Sequence, residues 1–116
     1  MNDPLHRLLP LSPAVLHILL ALSSEDRHGY GIMQEVLRQS EGKYKLGPGT
    51  LYDNLQKLLE QGIVREAAPR SSSTDSRRRY YRLTPFGRRL LATEVDRLES
   101  TLRAARIHLK PRTERT

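Results

Sequence analysis

The apolar residues of this chain recur at helical spacing in four stretches, and the first stretch is the most hydrophobic. Ser12 can cap a helix whose first residue is Pro13, a favoured combination at a helix start. Its inner face holds Val15, Ile18, Leu19 and Leu22, with Leu16 and Leu20 at the sides. A helix this apolar is predicted to be the buried centre of the domain. His17 lies in it and is predicted to be a structural histidine with one hydrogen bond.

A polar turn over residues 23–27 precedes the second stretch, which predicts a helix over residues 28–39. Gly29 and Gly31 fall in its first turn, where they are poor helix formers but allow a close approach. Gly42 ends this segment. The inner face holds Ile32, Met33, Val36 and Leu37.

The third stretch predicts a helix that ends at Gly62, and two starting points are open. Gly47 can cap it with Pro48 in the first position, or Thr50 can cap it with Asp53 at capping-box spacing. The first start is favoured because the backbone of proline is already in the helical conformation. The inward stripe is Leu51, Leu55, Leu58 and Leu59.

Two short strands are predicted at residues 63–68 and 78–83, because Tyr81 and Leu83 alternate with Tyr80 and Arg82. The polar segment RSSSTDSR between them predicts a hairpin tip. The order of three helices, strand, charged loop, strand and helix predicts a helix-turn-helix followed by a β-hairpin wing, an α+β fold that is mostly α.

The fourth stretch predicts a long last helix over residues 85–109, with Thr84 and Pro85 repeating the cap-and-proline pattern. Such a helix is about 37 Å long at about 1.5 Å per residue. The most direct partner for its apolar seam is the same helix of a second chain, and the alternative is a helix that folds back on its own domain. The seam has heptad spacing and consists of Leu91, Val95, Leu98, Leu102, Ala105 and Leu109.

These elements predict a loose N-terminal arm at residues 1–11, a DNA-binding domain at 12–84, a dimerisation helix at 85–109 and a solvated tail at 110–116.

Charge adds a functional indication to this architecture. The formal net charge is +7, and the window from Arg70 to Arg89 holds seven arginines against one acid, Asp75. A concentrated basic patch is typical of a polyanion partner, and the alternative is a solvated surface.

The composition argues against other classes of protein. The chain has no cysteine, and its four histidines are scattered without ligand spacing, so no metal site and no cofactor are expected. No nucleophile–base pair or P-loop is present, so we do not expect an enzyme. No signal peptide or membrane span is visible, which favours a cytoplasmic protein.

The start of the third helix is predicted to meet double-stranded DNA. Unpaired N–H groups and the positive end of the helix dipole suit phosphate, and Gly49 places no side chain in the way. Thr50 can donate a hydroxyl to phosphate, while Asn54 and Lys57 could reach base edges or phosphates. Asp53 could favour the helix dipole or accept from a cytosine amino group, and the dipole interpretation is preferred here.

Aromatic and basic residues extend the predicted interface. Tyr52 borders the leucine stripe, so its ring is predicted to lie in the core with its hydroxyl near phosphate. Tyr30 opens the second helix, which usually crosses the DNA backbone. The wing arginines Arg77, Arg78 and Arg79 are expected to meet phosphate or the minor groove.

Four segments together resemble the PadR family of transcriptional regulators: LSPAVLHILLAL, RHGYGIMQEV, LGPGTLYDNLQKLLEQGIV and RRRYYRLTPFGRRLL. The resemblance covers residues 11 to about 91. The shared pieces fall on residues 28–31, 49–52 and 80–84. The resemblance implies a winged helix-turn-helix fold, a homodimer formed through the C-terminal helix, and usually repression of transcription. The chain is similar to the short subfamily that has a single terminal helix.

The resemblance also allows an unknown small-molecule effector. The chain has no tryptophan and one phenylalanine, so a platform for a large aromatic ligand is not supported. A different class, a winged-helix adaptor whose basic wing meets an acidic protein, remains the alternative to a DNA-binding regulator.

Overall fold

A computed structural model of the chain describes residues 3–68 and 78–111. Within these ranges the elements, in chain order, are α1 (Pro4–Arg7), α2 (Pro13–Leu22), β1 (Arg27–His28), α3 (Gly29–Gln39), α4 (Pro48–Glu60), β2 (Val64–Ala67), β3 (Tyr80–Leu83) and α5 (Pro85–Leu109). The predicted winged helix-turn-helix architecture is confirmed, with a short sheet beside the helices and a long last helix.

The helix starts follow the capping chemistry of the sequence. The Ser12 hydroxyl accepts the Val15 N–H at 3.2 Å, and the Thr84 hydroxyl accepts the Gly87 N–H at 2.9 Å. Helix α4 begins at Pro48 with Gly47 as its cap, so the favoured one of the two predicted starts is confirmed. Gly62 ends α4 with a φ of 72°, a conformation that glycine adopts without strain.

The core lies between α2, α3, α4 and the first part of α5. The predicted inner faces supply it, except that Leu37 is exposed and Met33, Leu59 and Val15 are only partly buried. The fully buried side chains include Ile18, Leu19, Ile32, Val36, Leu51, Leu55, Leu58, Ile63, Val64 and Leu90.

The sheet is antiparallel with β3 in the middle, flanked by β1 and β2. Strand β1 was not predicted, since residues 23–27 looked like a polar turn. It is only two residues long, and its pairing of Arg27 with Tyr81 is a long-range contact that no local pattern reveals. Arg27 holds the turn in place by donating to the Ala21 carbonyl at 2.7 Å and lying 3.7 Å from the buried Glu35 carboxylate.

The N-terminal segment is not the loose arm that the sequence predicted. Asp3 caps the single turn of α1 by accepting the Leu5 N–H at 3.0 Å, and the Leu5 side chain is buried in the core. Farther along, the Leu11 N–H donates to Glu94 in α5. Apolar anchoring therefore fixes the described part of this segment against the domain.

Helix α5 has a buried part and an exposed part. Gly87, Leu90, Leu91 and Glu94 are buried, and a Cβ on Gly87 would collide with the Ile63 carbonyl oxygen. Beyond Glu94 no residue of α5 is buried within the described chain. Leu91 was predicted to lie in the dimer seam, but it is only 6% exposed and packs in its own core because α5 begins against the domain.

His17 does not match its predicted environment. Its ring stacks on Tyr44 with centroids 4.4 Å apart and planes at 14°. Its buried Nδ1 has no hydrogen-bond partner within the described residues, so stacking rather than the predicted hydrogen bond holds the ring.

Candidate nucleic-acid interface

The start of α4 is open to solvent. Gly47, Pro48, Gly49 and Thr50 are all exposed, and a Cβ built on Gly47 or Gly49 would meet nothing within 4 Å among the described residues. Neither glycine has a positive φ. Internal packing and backbone strain therefore do not require glycine here, whereas close approach by an external molecule would.

Gly29 shows the opposite situation at the start of α3. A Cβ at this position would collide with the hydroxyl and ring of Tyr52. Tyr52 thus packs its ring edge against the α3 backbone, but 49% of it remains exposed. The prediction that its ring lies in the core is wrong, because Tyr52 projects from the flank of α4 toward α3 rather than inward.

A cleft of about 300 Å³ opens where α3, α4 and the wing meet. Tyr30, which is 59% exposed, stands at this cleft with Tyr52 and the buried Tyr81. Burial raises the pKa of the Tyr81 hydroxyl, and the nearby Tyr52 acts in the same direction, so it stays neutral. Among the described residues, the lining consists of His28, Gly29, Tyr30, Tyr52, Arg78, Arg79 and Tyr81.

The base of the wing contributes Arg78 and Arg79 to this cleft. Arg79 lies 3.6 Å from Glu66 of β2. Arg78 Nη1 lies 2.7 Å from His28 Nε2, while His28 Nδ1 accepts the Gly31 N–H at 3.0 Å and caps α3. Phosphate oxygens are strong acceptors for a guanidinium such as that of Arg78. Arg77 and the hairpin tip lie outside the described residues.

Two arginines counted in the basic window have structural partners instead. Arg82 makes hydrogen bonds to both carboxylate oxygens of Asp26, the shortest at 2.7 Å, and this contact raises the pKa of its guanidinium. Arg88 donates to the Ser23 carbonyl at 3.1 Å. Both residues hold the turn before β1 against β3 and α5, so they add less to the basic surface than the sequence indicated.

Asn54 lies on the flank of α4 rather than on its most exposed face. Asn54 is half-buried, its amide donates to the Thr50 carbonyl at 2.8 Å, and it lines a groove of about 200 Å³ with residues of the N-terminal segment. Lys57 is exposed at the edge of the same groove. Asp53 projects directly away from the core, about 160° around the helix from both Leu51 and Leu55.

Lys43 and Lys45 were missed by the sequence reading. Both are exposed in the turn between α3 and α4, immediately before the open helix start. Two basic residues ahead of a glycine-rich helix start are the signal that could have identified them.

The described residues offer no site for a metal ion, since no group of three or more histidine, aspartate or glutamate side chains is suitably placed. The buried acids have protein partners: Arg38 bonds to Glu35 and lowers the pKa of its carboxyl against the effect of burial, with Arg27 adding to this. In the same described ranges, no helix is both long and apolar enough to cross a membrane.

Comparison with known proteins identifies this arrangement. The model of the transcriptional regulator PadR-like family matches residues 16–93. The chain belongs to the PadR family. It is therefore a DNA-binding transcriptional regulator and not an enzyme. The resemblance seen in the sequence is confirmed.

Relatives of this PadR protein agree in sequence and in fold. It is 36% identical over 89 residues to transcriptional regulator Rv3488 of Mycobacterium tuberculosis, a match that covers 76% of this chain and 78% of the relative. A PadR family regulator from Clostridium difficile R20291 superimposes with a TM-score of 0.72 at 21% identity, covering 84% of this chain and 99% of that one. A PadR-like regulator from Bacillus cereus gives a TM-score of 0.72 at 18% identity over 96% of this chain and 100% of that one.

Proposed function

We propose that this PadR protein is a cytoplasmic repressor that binds a palindromic operator as a homodimer. The observation that carries the proposal is the start of α4, where exposed glycines leave the helix N-terminus open although no contact with a described residue requires them. In a helix-turn-helix, this end of the second helix enters the major groove.

Phosphate contacts are proposed on both sides of that helix start. Free N–H groups at the start of α4 and the Thr50 hydroxyl would meet one phosphate, where Gly49 leaves room. Tyr30, Tyr52, Arg78 and Arg79 surround the neighbouring cleft, and hydroxyl and guanidinium groups are the usual donors to phosphate oxygens. Lys57 and the wing residue Arg77 are proposed to add further contacts.

The proposed dimer uses the exposed part of α5. Val95, Leu98, Leu102 and Leu109 recur at heptad spacing, and Leu102 is 51% exposed. Ala105 lies between them and is half-buried. An apolar stripe on a helix that extends beyond its domain is stabilised when a second copy covers it.

A two-fold dimer would present its two α4 helices symmetrically, which supports a palindromic operator. Half-sites would lie about 34–36 Å apart along the DNA, or a multiple of that distance. Repression would follow from occupation of a promoter by this dimer. The division into a DNA-binding domain at 12–84 and a dimerisation helix at 85–109 is part of the proposal, although residues 85–94 also pack in the core.

The test is selection of bound duplexes from a random pool, followed by affinity measurements on the enriched sequence at several salt concentrations. We expect an inverted repeat, binding that weakens steeply with salt, and repression of a reporter under that sequence. An acidic polypeptide of equal charge serves as the comparison. Equal or tighter binding to that polypeptide, with no enriched DNA sequence, would favour the adaptor function instead.

A further inference from the structure

Asp53 is an acidic side chain on α4, the helix whose start otherwise suits a polyanion. It is exposed and lies on the outward face of α4, opposite the buried leucines. Three other acids have protein partners: Asp26 pairs with Arg82, Glu66 lies beside Arg79, and Glu60 accepts from Gln56 at 3.0 Å. In residues 3–68 and 78–111 no hydrogen bond or ion pair holds the Asp53 carboxylate. Its presence therefore needs another explanation.

The helix dipole does not supply that explanation, although the sequence favoured it. Had α4 begun at Thr50, Asp53 would lie in the first turn, where a carboxylate stabilises the helix start. Helix α4 begins at Pro48 instead and has no acidic residue in its first turn. Asp53 is then in the second turn, beyond the range over which the dipole acts strongly.

The position of Asp53 is suited to a base edge. It is exposed on α4, the helix that a helix-turn-helix places in the major groove, where base edges are accessible. Phosphate repels a carboxylate, and a carboxylate can only accept hydrogen bonds. In the major groove the matching donor is the amino group at N4 of cytosine.

We propose that Asp53 accepts a hydrogen bond from a cytosine amino group and sets the preference for a C·G pair at one position of each half-site. This inference rests on the proposed function. Asn54, the neighbouring polar residue, lies on the flank of α4, and its amide donates to the Thr50 carbonyl. Where the DNA has a different base pair at that position, the Asp53 carboxylate faces hydrogen-bond acceptors or phosphate. This weakens binding to unrelated DNA.

The experiment compares selection from a random duplex pool by the wild-type chain, Asp53→Ala and Glu60→Ala. Glu60 lies on the same face about 10.5 Å farther along the axis, so its removal changes charge equally without removing a base contact. We expect the wild type to require a C·G pair at one position per half-site. Asp53→Ala should lose this preference by about 5- to 150-fold in relative affinity and bind scrambled DNA more tightly. Glu60→Ala should keep the preference.

The outcomes separate the two proposals. If the wild-type chain enriches no sequence, the proposed operator binding itself is wrong. If the wild type and Asp53→Ala enrich the same motif with the same preferences, operator binding stands and the role of Asp53 is overturned. If Asp53→Ala enriches the same DNA motif but has a lower melting temperature than the wild type, Asp53 stabilises the helix and does not read a base. Circular dichroism verifies that each variant is folded.

Discussion

The Glu94 carboxylate in α5 accepts the backbone N–H of Leu11 at 2.9 Å, across 83 residues of sequence. Glu94 is fully buried, and Arg97 donates to both of its oxygens, the shorter bond at 2.6 Å. These bonds from Arg97 lower the pKa of Glu94 in spite of its burial, and the Leu11 N–H adds to the effect. The pair ties the N-terminal segment to α5 at the point where α5 leaves the core.

Folding stability should therefore depend on the ionisation of Glu94. The pKa of Glu94 in the folded state is below the ordinary value of 4.5. Its contribution to the free energy of unfolding is therefore complete above pH 4.5 and is lost as the pH falls through the folded pKa. Glu94→Gln should lower the free energy of unfolding at pH 7, and its difference from the wild type should shrink as the pH falls below 4.5. Urea unfolding at several pH values measures this.

The control is Glu99→Gln, which changes an exposed carboxylate of the same helix. It should leave the stability close to that of the wild type at every pH. The stabilising role of the ionised Glu94 carboxylate would be contradicted by one result. This is a difference in the free energy of unfolding between wild type and Glu94→Gln that stayed constant down to the pH at which the protein unfolds.

Gly49→Ala should make the free protein more stable and the DNA complex weaker. Alanine is the better helix former, and a Cβ meets nothing there, so the gain is up to about 1 kcal/mol. The same Cβ would hold a phosphate away from the backbone. We expect at least a tenfold loss in affinity, about 0.7 kcal/mol for each α4 helix of the dimer. Thermal unfolding and DNA titration give the two quantities.

Gly62→Ala is a matched variant at the other end of α4. Its φ of 72° is unfavourable for alanine, so stability should fall. DNA affinity should change little under conditions where this variant is folded. A Gly49→Ala variant that bound DNA as tightly as the wild type would remove the main support for contact at the helix start.

Leu98→Glu with Leu102→Glu should convert the proposed dimer to monomers. Both side chains lie in the exposed seam of α5. Carboxylates at these positions would be buried in the dimer interface and would repel the same carboxylates of the second protomer. Sedimentation at a range of concentrations determines the mass. Ile107→Glu is the control, since Ile107 is 69% exposed but lies off the heptad positions. Unchanged dimer mass in the double variant would place the interface elsewhere.

Arg78→Ala should weaken binding to operator and scrambled DNA alike. Each phosphate contact contributes about −0.9 to the slope of log affinity against log salt, so the loss of one contact per protomer flattens the slope by up to about two units. Arg103→Ala, an exposed arginine of α5 away from the cleft, should leave the slope unchanged. Relaxed base preference with an unaltered slope in Arg78→Ala would show that this residue reads sequence instead.

Local chemistry made most of the fold predictable. Pro13, Pro48 and Pro85 fix helix starts, Gly62 fixes a helix end, and the leucine stripes fix the buried faces. Long-range contacts produced the differences. Strand β1 exists because Arg27 and His28 pair with β3, and the anchoring of the N-terminal segment depends on where Leu5 and Leu11 meet the rest of the chain.

The candidate site was predictable in its location but less so in its individual residues. The open start of α4 could be read from its glycines. The position of Tyr52 depends on the absence of a side chain at Gly29, and the Asn54 amide donates to the Thr50 carbonyl one turn earlier. Spacing along one helix gives the direction of a side chain, but it does not reveal which neighbour binds it.

Helix α5 packs in the core up to Glu94 and carries the proposed dimer seam after it. The number of residues between these two parts therefore sets the angle between the seam and the DNA-binding helix α4. One residue inserted between Glu94 and Val95 would turn the seam by about 100° relative to α4, whereas seven would restore it to within about 20° and lengthen the rod by about 10.5 Å. In homologues that dimerise in the proposed way, the length of this helix should therefore differ by multiples of seven residues. Each such change would alter the distance between the two half-sites that the dimer can bind.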